Sequence, residues 1–128
     1  MPSFLWGTPD YCPGDSAVES EAVLYRACDT IPPTPEDVTS HAHSKLPRKS
    51  KRANPEHCNS WGLSVWVSTE DVHHAMKLHD KWLPKKHIHK FEVANPDGRL
   101  AQTGTPPHHT FWPYDGVDLL SRLEPVQL

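Results

Sequence analysis

Asn59–Ala75, NSWGLSVWVSTEDVHHA, decides how the rest of the chain is read, because it joins a loop, a buried strand and a capped helix. Leu63-Ser64-Val65-Trp66-Val67 is rich in β-branched and aromatic side chains and is entered through Gly62, the pattern of a strand. Ser68 and Asp71 then form an S-x-x-D capping pattern, and Glu70 and Asp71 suit the positive end of a helix. Val72, Ala75, Met76, His79, Trp82 and Leu83 follow a 3.6-residue period, which Pro84 stops. Ser64 is a polar residue in an otherwise apolar strand, directly after Leu63 and close to a glycine. It is either a site residue or a serine bonded to neighbouring backbone.

Before this stretch, Ala22–Cys28 reads as a strand with Val23, Tyr25 and Ala27 on one face and Leu24, Arg26 and Cys28 on the other. An arginine between Leu and Cys must either snorkel to solvent or meet an anion. Thr34-Pro35-Glu36-Asp37 has the N-cap, the N1 proline and the acids of a helix start, and predicts a helix to about Ser44. The basic run Lys45–Arg52 is a solvated loop or a docking surface for phosphate or RNA. Residues 1–17 show Gly and Pro at close intervals and no period. They read as an extended arm, with Phe4, Leu5 and Trp6 docking on the core or on a second copy as a homodimer.

After Pro84, His87–Val93 alternates strictly, with His87, His89, Phe91 and Val93 on one face and Ile88, Lys90 and Glu92 on the other. Asn95-Pro96-Asp97-Gly98 is a turn, followed by a short strand at Arg99–Thr103. Gly104–Pro107 reads as a rigid loop presenting His108-His109-Thr110-Phe111-Trp112. A short helix near Val117–Arg122 and a last strand at Leu123–Leu128 complete the order. This is an α+β chain: an arm at 1–17, then one domain at 18–128, with two main helices around a small mixed or antiparallel sheet.

The 128 residues carry a formal charge of −3, which exerts no general pull towards nucleic acid or membrane. Fourteen prolines imply short elements and rigid loops instead of a helical bundle. Cys12, Cys28 and Cys58 are an odd set without C-x-x-C, which argues against a disulfide framework or a zinc ribbon. No signal-peptide pattern and no bilayer-length apolar run occur, so the expected setting is cytoplasmic and reducing. Ten histidines invite a metal reading, but no recognised ligand spacing emerges and no metal site is expected.

The residues left to carry chemistry are Arg26, Ser64, and His108-x-Thr110-Phe111-Trp112. Neither Ser64 nor any cysteine has a nucleophile-elbow signature. Leu24-Tyr25-Arg26, the Pro-rich helix start with Ser40, Trp61-x-x-Ser64-Val65, the helix with Ala75, and His108-x-Thr110-x-Trp112 resemble a large group of small bacterial proteins of unassigned function. The order of arginine on one strand, serine on the next buried strand, then a helix is similar to R-S-E ADP-ribosyltransferases and RES-domain NAD-degrading toxins. That resemblance implies an ADP-ribosyltransferase-like fold and NAD as substrate, in a toxin or effector that modifies a protein or RNA target. It gives Arg26 the phosphate of the nucleotide and Ser64 the ribose. His108 and Thr110 then face the scissile bond, and Trp61, Trp66 or Trp112 stacks on nicotinamide or adenine. The family's late glutamate has no E-x-E or Q-x-E here; Glu124 is the acid in roughly that order, with His108 as the alternative third residue. Two further readings stand beside this one. The first is a non-catalytic immunity or accessory module. The second is a histidine-based phosphodiesterase or nuclease acting on RNA, since His41-x-His43-Ser44 and His108-x-Thr110 resemble the paired motifs of 2H phosphoesterases.

Overall fold

Alternation along Ala22–Cys28 (β1) takes Leu24 and Cys28 fully out of water and holds Arg26 between them, half-buried. The structure, a computed structural model, describes Phe4 and residues 8–40, 58–81, 83, 86–104 and 108–127. The His41–Arg52 part of the expected helix and basic loop lies outside the described residues. β1 runs antiparallel to His87–Val93 (β3), from Ala22 opposite Val93 to Cys28 opposite His87. Glu124–Pro125 pairs with the far edge of β3.

A second antiparallel sheet is built from Leu63–Val65 (β2), Gly98–Gly104 (β4) and His108–Pro113 (β5), in the order β2-β5-β4. We label Thr69–Leu78 α1 and Glu124–Pro125 β6. The sheets meet at one pair: Tyr25 and Trp66 exchange backbone hydrogen bonds of 2.8 and 2.9 Å. Val18 makes a matching exchange with Leu100 on β4, at 3.0 and 2.8 Å. The stretch from Val18 to Cys28 therefore touches both sheets.

Strand parity explains where the core sits. Leu24, Leu63, Val65, Phe91, Val93 and Phe111 meet on one face with Leu119. On the other face Trp66 and Ile88 pack with Val72, Ala75 and Leu83, beneath α1. Farther along that second face of β4 and β5, Trp112 and Ala101 are covered by Ala17 and Phe4 of the arm. Burial of these apolar faces, at about 25 cal/mol per Å2, is what holds two short sheets together.

Among the described residues the expected α+β class holds in its coarse form, with one α-helix and two small antiparallel sheets. Of the two main helices expected, the described residues hold one as an α-helix. The Asp37 carboxylate does accept from the Thr34 amide at 2.8 Å, while the Asp37 amide donates to the Thr34 carbonyl, and the product is a single 3-10 turn, Pro35–Val38. Thr39 ends it: its hydroxyl donates back to the Pro35 carbonyl at 2.8 Å while its backbone is already extended. α1 keeps its Ser68 cap, with Asp71 N–H donating to Ser68 Oγ at 3.1 Å, but stops at Leu78. A turn then delivers Leu83 to the same cluster, so the periodic face outlasts the helix. Near the C-terminal end, the helix shrinks to Leu120–Arg122 and the last strand to β6. His108–Trp112, expected on a loop, is instead the central strand of the second sheet.

Against the expectation from the odd cysteine count, Cys12 and Cys58 are bonded as a disulfide with Cα atoms 5.3 Å apart. Cys28 is free and buried. Among the described residues no helix is long and apolar enough to cross a membrane.

Candidate functional site

β1 and β2 pair once, at Tyr25 and Trp66, and then part. Arg26 fills the opening. Its Nε donates to the main-chain carbonyl of Asp37, and its Nη1 donates to the carbonyl of Ser64 at 2.8 Å. Asp37 is fixed in turn, because its carboxylate accepts from the Asp29 and Thr34 amides at 3.0 and 2.8 Å. Burial pulls the Arg26 pKa below its ordinary value, opposed by the neighbouring Cys28, Asp37 and Asp29. A half-buried guanidinium bonded to two carbonyls is an arginine with a fixed direction.

Ser64 and Thr110 are direct cross-strand partners between β2 and β5, so their side chains share a face. Thr110 is buried, and its Oγ1 lies 2.8 Å from that of Thr103. Thr103 Oγ1 is 3.1 Å from His108 Nδ1, which extends the chain of polar groups to the start of β5. The His108 ring meets Trp66 edge-on at 5.9 Å between centroids. Gly62 makes the close packing at the other end feasible, since a Cβ there would stand 3.1 Å from the Trp112 ring.

The structure thus brings Ser64, Thr110 and His108 to one face, and Arg26 to the opposite one. Arg26 shares its side with Leu24 and Val65, whereas Ser64 shares its side with Trp66. Arginine and serine meet through the serine's carbonyl, not through its hydroxyl. Trp112 is buried and donates its indole N–H to the Cys58 carbonyl at 2.9 Å, while Trp61 packs against the same cluster. Glu124 lies in β6, on the far edge of the other sheet. Two open concavities are lined by other residues: one of about 260 Å3 runs along Pro35, Val38 and Leu119. The other, of about 800 Å3, runs along Val23, Lys90 and Glu92 and includes Glu124. No group of three or more candidate metal ligands occurs among the described residues.

Two further imidazoles, not among the expected site residues, lie on these strands. His89 faces Arg26 across β1 and β3, is wholly buried, and has its Nδ1 3.1 Å from the His87 carbonyl. His109 faces Val65 across β2 and β5 and is half-buried. Burial lowers its pKa, against a smaller opposing pull from Asp71. The signal for both lay in strand parity: each falls on the same alternating face as Arg26, but only once the strand pairing is known.

Compared with known protein families, with characterised proteins and with solved structures, the chain matches none.

Proposed function

We infer that the chain binds NAD or a related nucleotide where β1 and β2 part, and acts on it as an ADP-ribosyltransferase or NAD glycohydrolase. The observation that carries this is Arg26. Its guanidinium is held at the opening between the sheets, and two of its five N–H donors are spent on carbonyls of described residues. The others suit a phosphate oxygen, which a fixed planar donor set recognises well. Cleaving the nicotinamide bond asks little of a nucleophile and much of positioning, so an arginine clamp fits the chemistry. Under this reading Ser64, Thr110 and His108, which stand on the opposite face from Arg26, would meet the sugar from the other side of the opening, and the partner receiving ADP-ribose would be a protein or RNA in the cytoplasm. In a reducing compartment Cys12 and Cys58 would be free thiols.

Calorimetric titration with NAD, followed by assay of nicotinamide release, tests this reading. Binding with turnover supports it, binding without turnover leaves a nucleotide-binding domain lacking its target, and no binding at millimolar NAD overturns it.

One observation favours a second reading, a non-catalytic interaction module. Neither of the two concavities contains Arg26, Ser64, His108 or Thr110 in its lining. Under that reading the arginine and the hydroxyl chain are internal braces, and the titration with NAD gives no heat.

A further inference from the structure

The arm before β1 is stitched to the second sheet and its flanking turn at Phe4, Cys12 and Val18. Phe4 pairs with Tyr114, with ring centroids 5.0 Å apart, and Val18 exchanges main-chain hydrogen bonds with Leu100 on β4. Between them Cys12 supplies the covalent stitch, to Cys58.

The two ends of that bridge are held very differently. Cys58 opens the 3-10 turn Cys58–Trp61, and its carbonyl accepts the Trp112 indole N–H at 2.9 Å. The Gly62 amide closes the turn on the Asn59 carbonyl, and Ser60 is buried within it. None of this needs the bridge. On the other side, residues 8–18 bury Cys12 and Ala17 and leave Tyr11 66% exposed. The Cys12 and Ala17 amides donate to Pro9 and Gly14, bonds that stay inside the arm. Burial of one alanine and a pair of exchanged hydrogen bonds is a small return for ordering so many residues. A cross-link spanning 46 residues of sequence lessens that entropy cost.

We propose that Cys12 and Cys58 form a redox latch: oxidised, it keeps the arm over β4 and β5, and reduced, it lets the arm leave while both sheets stay folded. The reductant is a small thiol. Its thiolate attacks the sulfur of Cys58, the less buried residue of the pair, and expels Cys12 as a thiolate that takes up a proton. A second thiol then attacks the mixed disulfide and frees Cys58. One S–S bond is broken in the protein and one is formed between the two small thiols, which give up two electrons and two protons to the cysteines. Cys28 stays outside this exchange, since it is buried and its thiol is pushed up to about 11. Opening the latch removes Val18 from the margin of β4 and takes Ala17 and Phe4 off Trp112 and Ala101. The latch is independent of the nucleotide reading.

Amide hydrogen exchange of the full chain, oxidised and then equilibrated with reduced glutathione, tests this, with alkylation and intact mass to count free thiols. Reduction is expected to speed exchange at Val18 and Leu100 about a hundredfold, the scale of a typical disulfide. Tyr25 and Trp66, whose exchanged bonds join the sheets, should keep their protection. The double variant Cys12→Ser/Cys58→Ser should show the same pattern with no thiol added. Equal protection of Val18 and Leu100 in both states overturns the latch. So does an equal loss at all four amides, which would make the bridge a support of the whole fold. Three free thiols in the air-oxidised chain overturn it as well, as does a bridge that stays closed in millimolar reduced glutathione.

Discussion

Arg26 Nη1 donates to the Ser64 carbonyl at 2.8 Å, so one side chain ties the two sheets where their strands cease to pair. A carbonyl facing away from β5 would otherwise need a neighbouring strand or water. The same guanidinium holds the Asp37 carbonyl, and through it the Thr34–Asp37 turn. Binding and folding are therefore linked at this residue, and a mutation here reports on both.

Arg26→Ala leaves two part-buried carbonyls without their donor and should cost about 3 kcal/mol, or about 10 °C in melting temperature. Arg26→Lys should recover only part of this, since an ammonium cannot reproduce the planar fork. Thermal unfolding followed by circular dichroism measures both. An Arg26→Ala protein that melts with the wild type would remove the bracing role.

Gly62→Ala places a methyl group 2.3 Å from Thr110 Cγ2 and 3.1 Å from both the Phe111 carbonyl and the Trp112 ring. Overpacking of this kind costs about 2 kcal/mol or more. The expected result is a lower denaturant midpoint with an unchanged slope. A midpoint equal to that of wild type would mean that β2 and β5 move apart without penalty.

The Cys12–Cys58 bridge closes a sequence separation of 46 residues. Loop-closure entropy for a ring of that size is worth about 4 kcal/mol as an upper value. Replacing both cysteines by serine, or adding reductant, should lower the melting temperature substantially and loosen the cover over Trp112. Equal melting with and without reductant would show that the bridge adds nothing to the fold.

Burial pushes the Cys28 thiol up from its ordinary 9.0 to about 11. Between those values the folded chain holds a proton that the unfolded chain has released. The contribution of this thiol is therefore complete below pH 9 and is lost as pH rises towards 11. The stability difference between wild type and Cys28→Ala should narrow across that window, and maleimide labelling of the folded protein at pH 8 should be slow. Fast labelling at pH 8 would contradict the burial.

Local patterns were legible wherever side-chain alternation or a cap decided the matter. β1 and β3 came out with their stated bounds and faces, because each alternates strictly and ends in turn residues. The Ser68 cap was equally plain, since its donor and acceptor lie three residues apart. β5 was hidden by the prolines before it, although Thr110, Phe111 and Trp112 are good strand formers; pairing on both sides with β2 and β4 outweighs the local signal. The helix after Thr34 failed for the opposite reason: its start is well encoded, but Thr39 closes the turn on itself. Site residues were found as types, not as faces. Arg26 and Ser64 are neighbours, yet their side chains point to opposite sides, and only long-range pairing reveals that.

β4 has its outer margin stitched at Leu100 by Val18, and β3 has its outer margin stitched by Glu124–Pro125. Each open rim of the paired sheets is thus guarded by a few residues, and Pro125 offers no N–H to a further strand. Trimming either guard would bare a row of unpaired amides and carbonyls on an otherwise finished strand. The expected consequence is self-association through rim-to-rim addition, growing with concentration, in a molecule whose interior is untouched.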